Sequence, residues 1–287
     1  MGIFSAIGSA ISGALSAVSS FASTALSTIS NAVSSFASTA LSGFGKIVGG
    51  LANGFMSIVS KLPLGPLGPI LGPIVGELIV KAVVKVIEVL AKKLGLIEED
   101  DKAEEIGYRV EESEKHDDWK KPDDFKTFAE YYAYLKQQIP DELIDRMKLN
   151  NAKDYYAVLG TMAETYGLEK ELEIKFNEEF LVEIGRSKMT AEEIRAFADA
   201  FRSLGFESID VADYFKGHLP PGESKRITEA LISSMQKFMP EKTEDELYAR
   251  INEIQAAARG DLKLRDDIYK DELIQIAETK KLPEITE

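Results

Sequence analysis

The chain has 287 residues, with 34 basic against 48 acidic side chains and no cysteine. The absence of cysteine excludes disulfides, thiolate metal sites and thiol nucleophiles. The charge is unevenly distributed, because residues 1–96 hold six lysines and two glutamates whereas residues 97–287 hold 28 basic and 46 acidic side chains. The acidic balance of the second part argues against binding to nucleic-acid phosphates there.

Residues 1–61 form a Ser/Ala-rich segment of low complexity with an internal repeat. The sequence AVSSFASTALS occupies residues 17–27 and returns unchanged at residues 32–42, and no charged side chain occurs within residues 1–45. Large apolar residues follow one another at intervals of three and four, which is the spacing of one helix face. The pattern predicts a long amphipathic helix, either continuous or divided at a pair of glycines between residues 43 and 50.

The apolar face of this helix predicts contact with a surface outside the monomer, because so long a stripe is hard for one small domain to cover. One interpretation is lipid contact, since lipid-packing helices bind mainly by apolar insertion. Another is self-assembly, since small residues let identical helices approach closely. A third is packing on the chain's own second domain. We assign membrane or self-assembly contact to Phe4, Ile7, Ile11, Leu15, Val18, Phe21, Leu26, Ile29, Val33, Phe36, Leu41 and Phe44.

Residues 62–76 are predicted to be a Pro/Gly-rich bend, because each proline removes a backbone donor and disfavours helix just before it. Residues 74–96 then predict an apolar helix whose few charges form one narrow stripe. The whole region would be a long amphipathic helical hairpin. The hinge residues are Pro63, Pro66, Pro69 and Pro73.

Residues 97–287 predict an acidic, soluble domain of several short helices. Thr190 with Glu193 and Thr243 with Glu246 have the spacing of capping boxes. No segment alternates as a strand does, so the fold class is all-α. The predicted helices cover residues 102–115, 123–138, 141–148, 152–166, 169–184, 191–203, 208–216, 223–238, 244–258 and 261–280.

Residues that could carry catalysis are sparse. The two histidines, His116 and His218, are a hundred residues apart, and no paired-histidine, phosphate-loop or serine-nucleophile motif occurs. We predict that the protein is not an enzyme and uses no cofactor or metal. Of the aromatic residues, Tyr131 and Tyr134 lie off the core-facing helical spacing and are candidates for contact with a partner.

The Gly/Ala/Ser-rich composition of the first third resembles the N-termini of virion pilot or DNA-ejection proteins. Its layout is similar to the hydrophobic hairpins of pore-forming toxins. This resemblance covers residues 1–96 and implies a delivery role, in which a sheltered helical segment is released onto a membrane. The acidic helices would then be a soluble handle that docks to a carrier or masks the hairpin.

The sequence therefore predicts a non-enzymatic, membrane-active or self-assembling helical protein, whose partners are a lipid membrane, copies of itself, or both. The alternative is a scaffold or adaptor in which residues 97–287 bind a protein partner and the repeat builds an oligomer. The N-terminus lacks the basic residues and the compact apolar run of a usual secretory signal. The expected location is on a membrane or within a particle.

Overall fold

The structure is a computed structural model that describes residues 10–62 and 68–259. Its fold class is all-α, as the sequence predicts. The N-terminal third contains helices α1 (Ala10–Thr39), α2 (Gly43–Val59) and α3 (Gly68–Lys93). We call these three helices the N-terminal layer.

The predicted long helical hairpin is not confirmed, because the chain turns back on itself between α1 and α2 and residues 10–59 form two packed helices. Ser42 caps α2, because its hydroxyl accepts a hydrogen bond from the Gly45 amide. Helix α1 packs on both α2 and α3. Small residues permit this packing: a Cβ on Gly49 would lie 2.7 Å from the Ala37 Cα, and a Cβ on Gly76 would lie 3.0 Å from Leu26 Cδ1.

The predicted proline-rich bend is shorter than expected. Pro69 and Pro73 lie inside α3, and Pro63 and Pro66 lie outside the described residues. Pro69 is in the first turn, where a missing amide hydrogen leaves no intrahelical bond unmade. Pro73 lies further in, where it removes one backbone hydrogen bond, yet the helix continues to Lys93.

The acidic part of the chain contains nine further helices and two very short strands within the described residues. The helices are α4 (Ala103–Ser113), α5 (Phe128–Gln138), α6 (Arg146–Asn151), α7 (Lys153–Leu172), α8 (Glu178–Arg186), α9 (Ala191–Ser203), α10 (Ala212–Lys216), α11 (Pro221–Phe238) and α12 (Glu244–Ala258). Single 3₁₀ turns occur at Pro122–Asp124 and Asp141–Leu143.

Two predicted helices are wrong because a two-residue parallel ladder interrupts them. Strand β1 (Lys175–Phe176) pairs with β2 (Ser208–Ile209) and replaces parts of the helices expected over residues 169–184 and 208–216. Helix α7 continues to Leu172 and ends at Glu173, which adopts a left-handed conformation with φ of 55°. A two-residue strand is too short to show the alternation that reveals longer strands.

One hydrophobic core includes residues of both parts of the chain. Helix α3 packs on α7 and α8, and α2 packs on the same two helices. Helix α4 crosses α7, while α9 to α12 pack together at the other side of α8. Helix α1 packs mainly on α2 and α3 and also touches α7.

Candidate functional site

The apolar stripe of α1 is covered by helices of the same chain. The expectation that it needs a surface outside the monomer is wrong, because α2 and α3, themselves apolar, supply that surface and pack in turn on α7 and α8. Phe4 and Ile7 lie outside the described residues, and Ile11 and Leu15 lie on α1 where the side chains are outside the description. The stripe residues that the structure buries are Val18, Leu26, Ile29, Val33, Phe36 and Phe44.

Two of the predicted contact residues point away from the core. Phe21 is 68% exposed and Leu41 is 61% exposed, although their repeat counterparts Phe36 and Leu26 are buried. A fifteen-residue offset turns a helix by roughly 60° beyond whole turns, so identical residues in the two copies face different directions. These two side chains are the large apolar groups that α1 and its turn present to solvent.

The outer face of α1 is made of hydroxyl groups that bond to the helix itself. Thr24 Oγ1 donates to the Ser20 carbonyl at 3.0 Å, and Thr28 Oγ1 donates to the Thr24 carbonyl at 2.8 Å. Ser38 and Thr39 both donate to the Ser35 carbonyl, at 2.8 and 2.9 Å. Because these donors are already satisfied, moving this face out of water costs less free energy than moving free hydroxyls.

A carboxylate holds the turn between α1 and α2. Glu114, the residue that follows α4, accepts hydrogen bonds from the Leu41 amide at 3.0 Å and the Ser42 amide at 2.8 Å. The Ser42 hydroxyl donates to its other oxygen at 2.5 Å. A negative charge at a helix N-terminus is favourable because the unpaired amides of the first turn point towards it. We call this arrangement the Glu114 clamp.

Gly45 and Phe44, at the start of α2, pack closely against the acidic helices beside the Glu114 clamp. A Cβ on Gly45 would lie 2.5 Å from the Glu114 carboxyl carbon, so any larger residue there would displace the carboxylate. The ring of Phe44 packs edge-on against Tyr131 and Tyr166, with ring centroids 5.4 and 5.1 Å apart. The acidic helices therefore hold the N-terminal layer at this turn by both polar and aromatic contacts.

We expect Glu114→Ala to lower the free energy of unfolding by about 2–3 kcal/mol, because two partly buried amides and the Ser42 hydroxyl lose a charged acceptor. Amide exchange at residues 41–45 should also accelerate. Urea denaturation and hydrogen exchange measure the two effects, with the exposed Glu99→Ala as the control. Unchanged exchange at the turn would show that the clamp does not hold it.

The two tyrosines predicted to contact a partner differ in position. Tyr131 is fully buried, so its assignment to a partner surface is wrong. It lies on α5 between Phe44 and Phe125, where a tyrosine packs its ring and directs its hydroxyl towards Ser113. Tyr134 is half-buried, packs on Phe125 and accepts a hydrogen bond from the Lys120 amide at 3.3 Å.

Two buried glutamates were not singled out by the sequence. Glu164 on α7 is completely buried, and neither of its carboxylate oxygens has a hydrogen-bond partner among the described residues. Burial raises the pKa of this carboxyl well above its ordinary value, and the negative charge of Glu88 acts in the same direction. Burial likewise raises the pKa of Glu183 on α8 to about 7, although the positive charges of Arg186 and Lys216 oppose the shift.

The histidines lie apart in the structure, as they do in the sequence. His116 stacks on the Trp119 ring at a centroid distance of 4.0 Å, and His218 Nδ1 lies 3.5 Å from an Asp213 oxygen at the surface. One group of carboxylates in the described part of the chain has ligand oxygens within 4.8 Å of one another, namely Glu98, Asp100 and Asp101.

That carboxylate group is held by protein donors. Asp101 Oδ2 accepts from the Glu98 amide at 2.8 Å, and Asp101 Oδ1 accepts from Tyr132 and Lys136 at 3.1 and 2.9 Å. Both oxygens of Asp101 are therefore already engaged. The absence of an enzymatic activity stays a prediction.

No family model, curated protein or solved structure matches this chain. Within residues 10–62 and 68–259, none of the helices has both the length and the apolar character needed to cross a lipid bilayer.

Proposed function

We propose that this chain is a non-enzymatic, membrane-active helical protein that stores α1 in a closed form and places it on a lipid surface when α1 leaves α2 and α3. The acidic helices keep the N-terminal layer in solution and hold it through the Glu114 clamp. This role is that of a delivery component, in which a carrier or particle brings the closed protein to its membrane.

The observation that carries the proposal is the chemistry of α1. Its 30 residues contain no charged side chain, its buried face is a continuous apolar stripe, and its outer hydroxyls bond to its own carbonyls. Such a helix can lie in the interface of a bilayer with its apolar face in the acyl boundary. No ion has to be desolvated on the way.

The position of α1 also supports release. It packs mainly on α2 and α3, with a smaller contact on α7, and has no charged group with which to form an ion pair. Ser34 Oγ donates to Asn53 Oδ1 at 2.8 Å, which is an exposed bond that water can replace. Lys46 and Lys61, at the two ends of α2, would add attraction to anionic lipid.

A disulfide between α1 and α2 tests this proposal, because the natural chain has no cysteine. The side chains of Ser34 and Asn53 already meet between α1 and α2, with Ser34 Oγ 2.8 Å from Asn53 Oδ1. In the variant Ser34→Cys with Asn53→Cys, the two sulfurs therefore start close enough to form a disulfide. We expect the reduced variant to float with vesicles of phosphatidylcholine and phosphatidylglycerol and the oxidised variant to stay in solution. Flotation in a density gradient, with and without reductant, measures the difference.

Single-cysteine Ser34→Cys is the matched control and should float in both redox states. Equal flotation of the oxidised and reduced double variant would overturn the release step, and no flotation of either would overturn lipid binding.

A second experiment compares Phe21→Asp with Leu143→Asp, since both residues are exposed but only Phe21 is on α1. Only Phe21→Asp should weaken flotation. Phe36 is unsuitable for this substitution because it is part of the core.

The scaffold or adaptor alternative has one observation in its favour. Leu143 and Met147, in the acidic part, are large apolar side chains that are 66% and 74% exposed. Exposed apolar side chains close together in sequence are typical of a protein-contact surface. Light scattering of the full chain in lipid-free buffer separates the two roles. A discrete oligomer that does not bind vesicles when they are added favours the scaffold.

A further inference from the structure

A cavity lies at the seam between the N-terminal layer and the acidic helices. Its volume is about 370 Å³, which is at the lower end of the range of small-molecule sites. The end of α2, the residues Lys61 and Leu62, helices α8 and α10, and the end of α12 form its walls. Apolar side chains make up most of the lining, namely Ile58, Leu62, Val182, Val211, Ala212, Phe215 and Ala258.

A buried carboxyl group belongs to the lining of this cavity. Glu183 is 8% exposed; its Oε1 accepts from Arg186 Nη1 at 2.6 Å, and its Oε2 has no hydrogen-bond partner among the described residues. A buried polar atom without a partner is uncommon and costs free energy unless a ligand or water satisfies it. In its neutral form this carboxyl can donate its proton to a ligand oxygen.

Three basic side chains line this cavity, although the formal net charge of the whole chain is −14. Lys61, Arg186 and Lys216 belong to the lining, and Glu179 is the acidic side chain there besides Glu183. Lys61 and Lys216 are exposed. They can therefore move to a ligand anion at the opening.

We propose that this cavity binds a monocarboxylate with a single apolar chain. The ligand carboxylate accepts a hydrogen bond from the neutral Glu183 carboxyl group and lies within reach of the cations Arg186 and Lys216. Its chain packs on the apolar wall formed by α8 and α10, in a volume that suits one acyl chain rather than two. This site goes beyond membrane contact by α1, and the two proposals can fail separately.

Binding should weaken as the pH rises. The groups that face Glu183 are Arg186 and Glu179 on its own helix, Lys216 on α10 and Lys61 after α2. Because the pKa of Glu183 is raised to about 7, its neutral fraction falls about ninefold to tenfold between pH 6 and pH 8.

Isothermal titration calorimetry of the full chain with decanoate tests the site. Decanol and decyltrimethylammonium are the matched probes with a neutral and a cationic head on the same chain. We expect one decanoate per chain, bound about tenfold more tightly at pH 6 than at pH 8, and much weaker binding of the other two probes. Equal affinity for decanoate and decanol would overturn the proposal.

Three variants make the test specific. Lys61→Gln with Lys216→Gln should weaken decanoate binding about tenfold, whereas Lys225→Gln, at an exposed lysine outside the cavity, should leave it unchanged. Ala212→Trp should fill the cavity and abolish binding. Glu183→Gln keeps a donor but cannot ionise, so its affinity at pH 8 should equal its affinity at pH 6.

Circular dichroism confirms that each variant is folded. If Ala212→Trp does not fold, the variant Lys61→Gln with Lys216→Gln still tests decanoate binding, because exposed side chains can be substituted without unfolding the chain. Unchanged binding in the lysine variant, or a pH dependence that persists in Glu183→Gln, would overturn the assignment. Flotation with vesicles is measured on the same variants, and a loss of decanoate binding without a loss of flotation separates this site from lipid contact by α1.

Discussion

Gly160→Ala is expected to abolish folding or to lower the free energy of unfolding by at least about 3 kcal/mol. Gly160 on α7 faces Gly107 on α4 where the two helices cross. A Cβ on Gly160 would lie 1.8 Å from the Ala103 carbonyl oxygen, and a Cβ on Gly107 would lie 2.0 Å from the Tyr156 carbonyl oxygen. Neither oxygen can yield, because both belong to helix backbones, so the helices would have to separate and leave gaps along their contact.

The loss is large relative to the total stability of an ordinary domain, which is roughly 5–15 kcal/mol. Urea denaturation followed by far-UV circular dichroism measures it. Gly50→Ala is the matched control, because Gly50 is an exposed position on α2 with nothing within 4 Å of its Cβ position. That change should stabilise the chain by about 0.5–1 kcal/mol. A Gly160→Ala midpoint equal to that of the natural chain would show that the crossing is looser than described.

The two copies of the repeat show which structural features can be predicted from the spacing of apolar residues and which cannot. Intervals of three and four predict correctly that α1 is helical and that residues such as Val33 share one face. They do not show which residue of each copy faces inward, because the copies are rotated relative to each other. Phe21 and Leu41 were therefore assigned to the same contact surface as Phe36, although they face solvent in the closed chain.

What covers the stripe could not be predicted from the pattern. An amphipathic helix has the same spacing whether its apolar face meets lipid, another copy or the same chain. The Glu114 clamp could not be predicted either, since its partners at residues 41 and 42 are 73 and 72 residues away in sequence. Local patterns do predict local features: both expected capping boxes, Thr190 with Glu193 and Thr243 with Glu246, are present.

Buried acids were missed for a related reason. Glu164 lies in a run of small and polar residues that reads like an exposed helix face, and an acidic chain offers many such positions. Its burial follows from the close approach of α4 and α7 at Gly160, one helical turn away. Gly160, which permits close helix packing, is thus the local signal in the sequence that could have indicated a buried residue four positions later on the same helix face.

Glu164→Gln is expected to stabilise the chain by about 1–4 kcal/mol at pH 8 and to have little effect near pH 4. The folded-state pKa of Glu164 is raised above the unfolded value. The folded chain therefore keeps a proton that the unfolded chain releases, so the contribution of this group is favourable below the unfolded pKa and is lost as the pH rises towards the folded pKa. Glutamine cannot ionise and removes this dependence.

Chemical denaturation of both proteins at several pH values between 4 and 8 checks the prediction, because the difference between them cancels the titration of other groups. Glu169→Gln is the matched control on the same helix. Glu169 is also buried, but its oxygens accept from the Phe176 amide and from Lys175 Nζ, both at 2.8 Å. Losing a charge that has such partners should destabilise the chain at pH 8. A Glu164→Gln difference that is independent of pH would contradict the assignment.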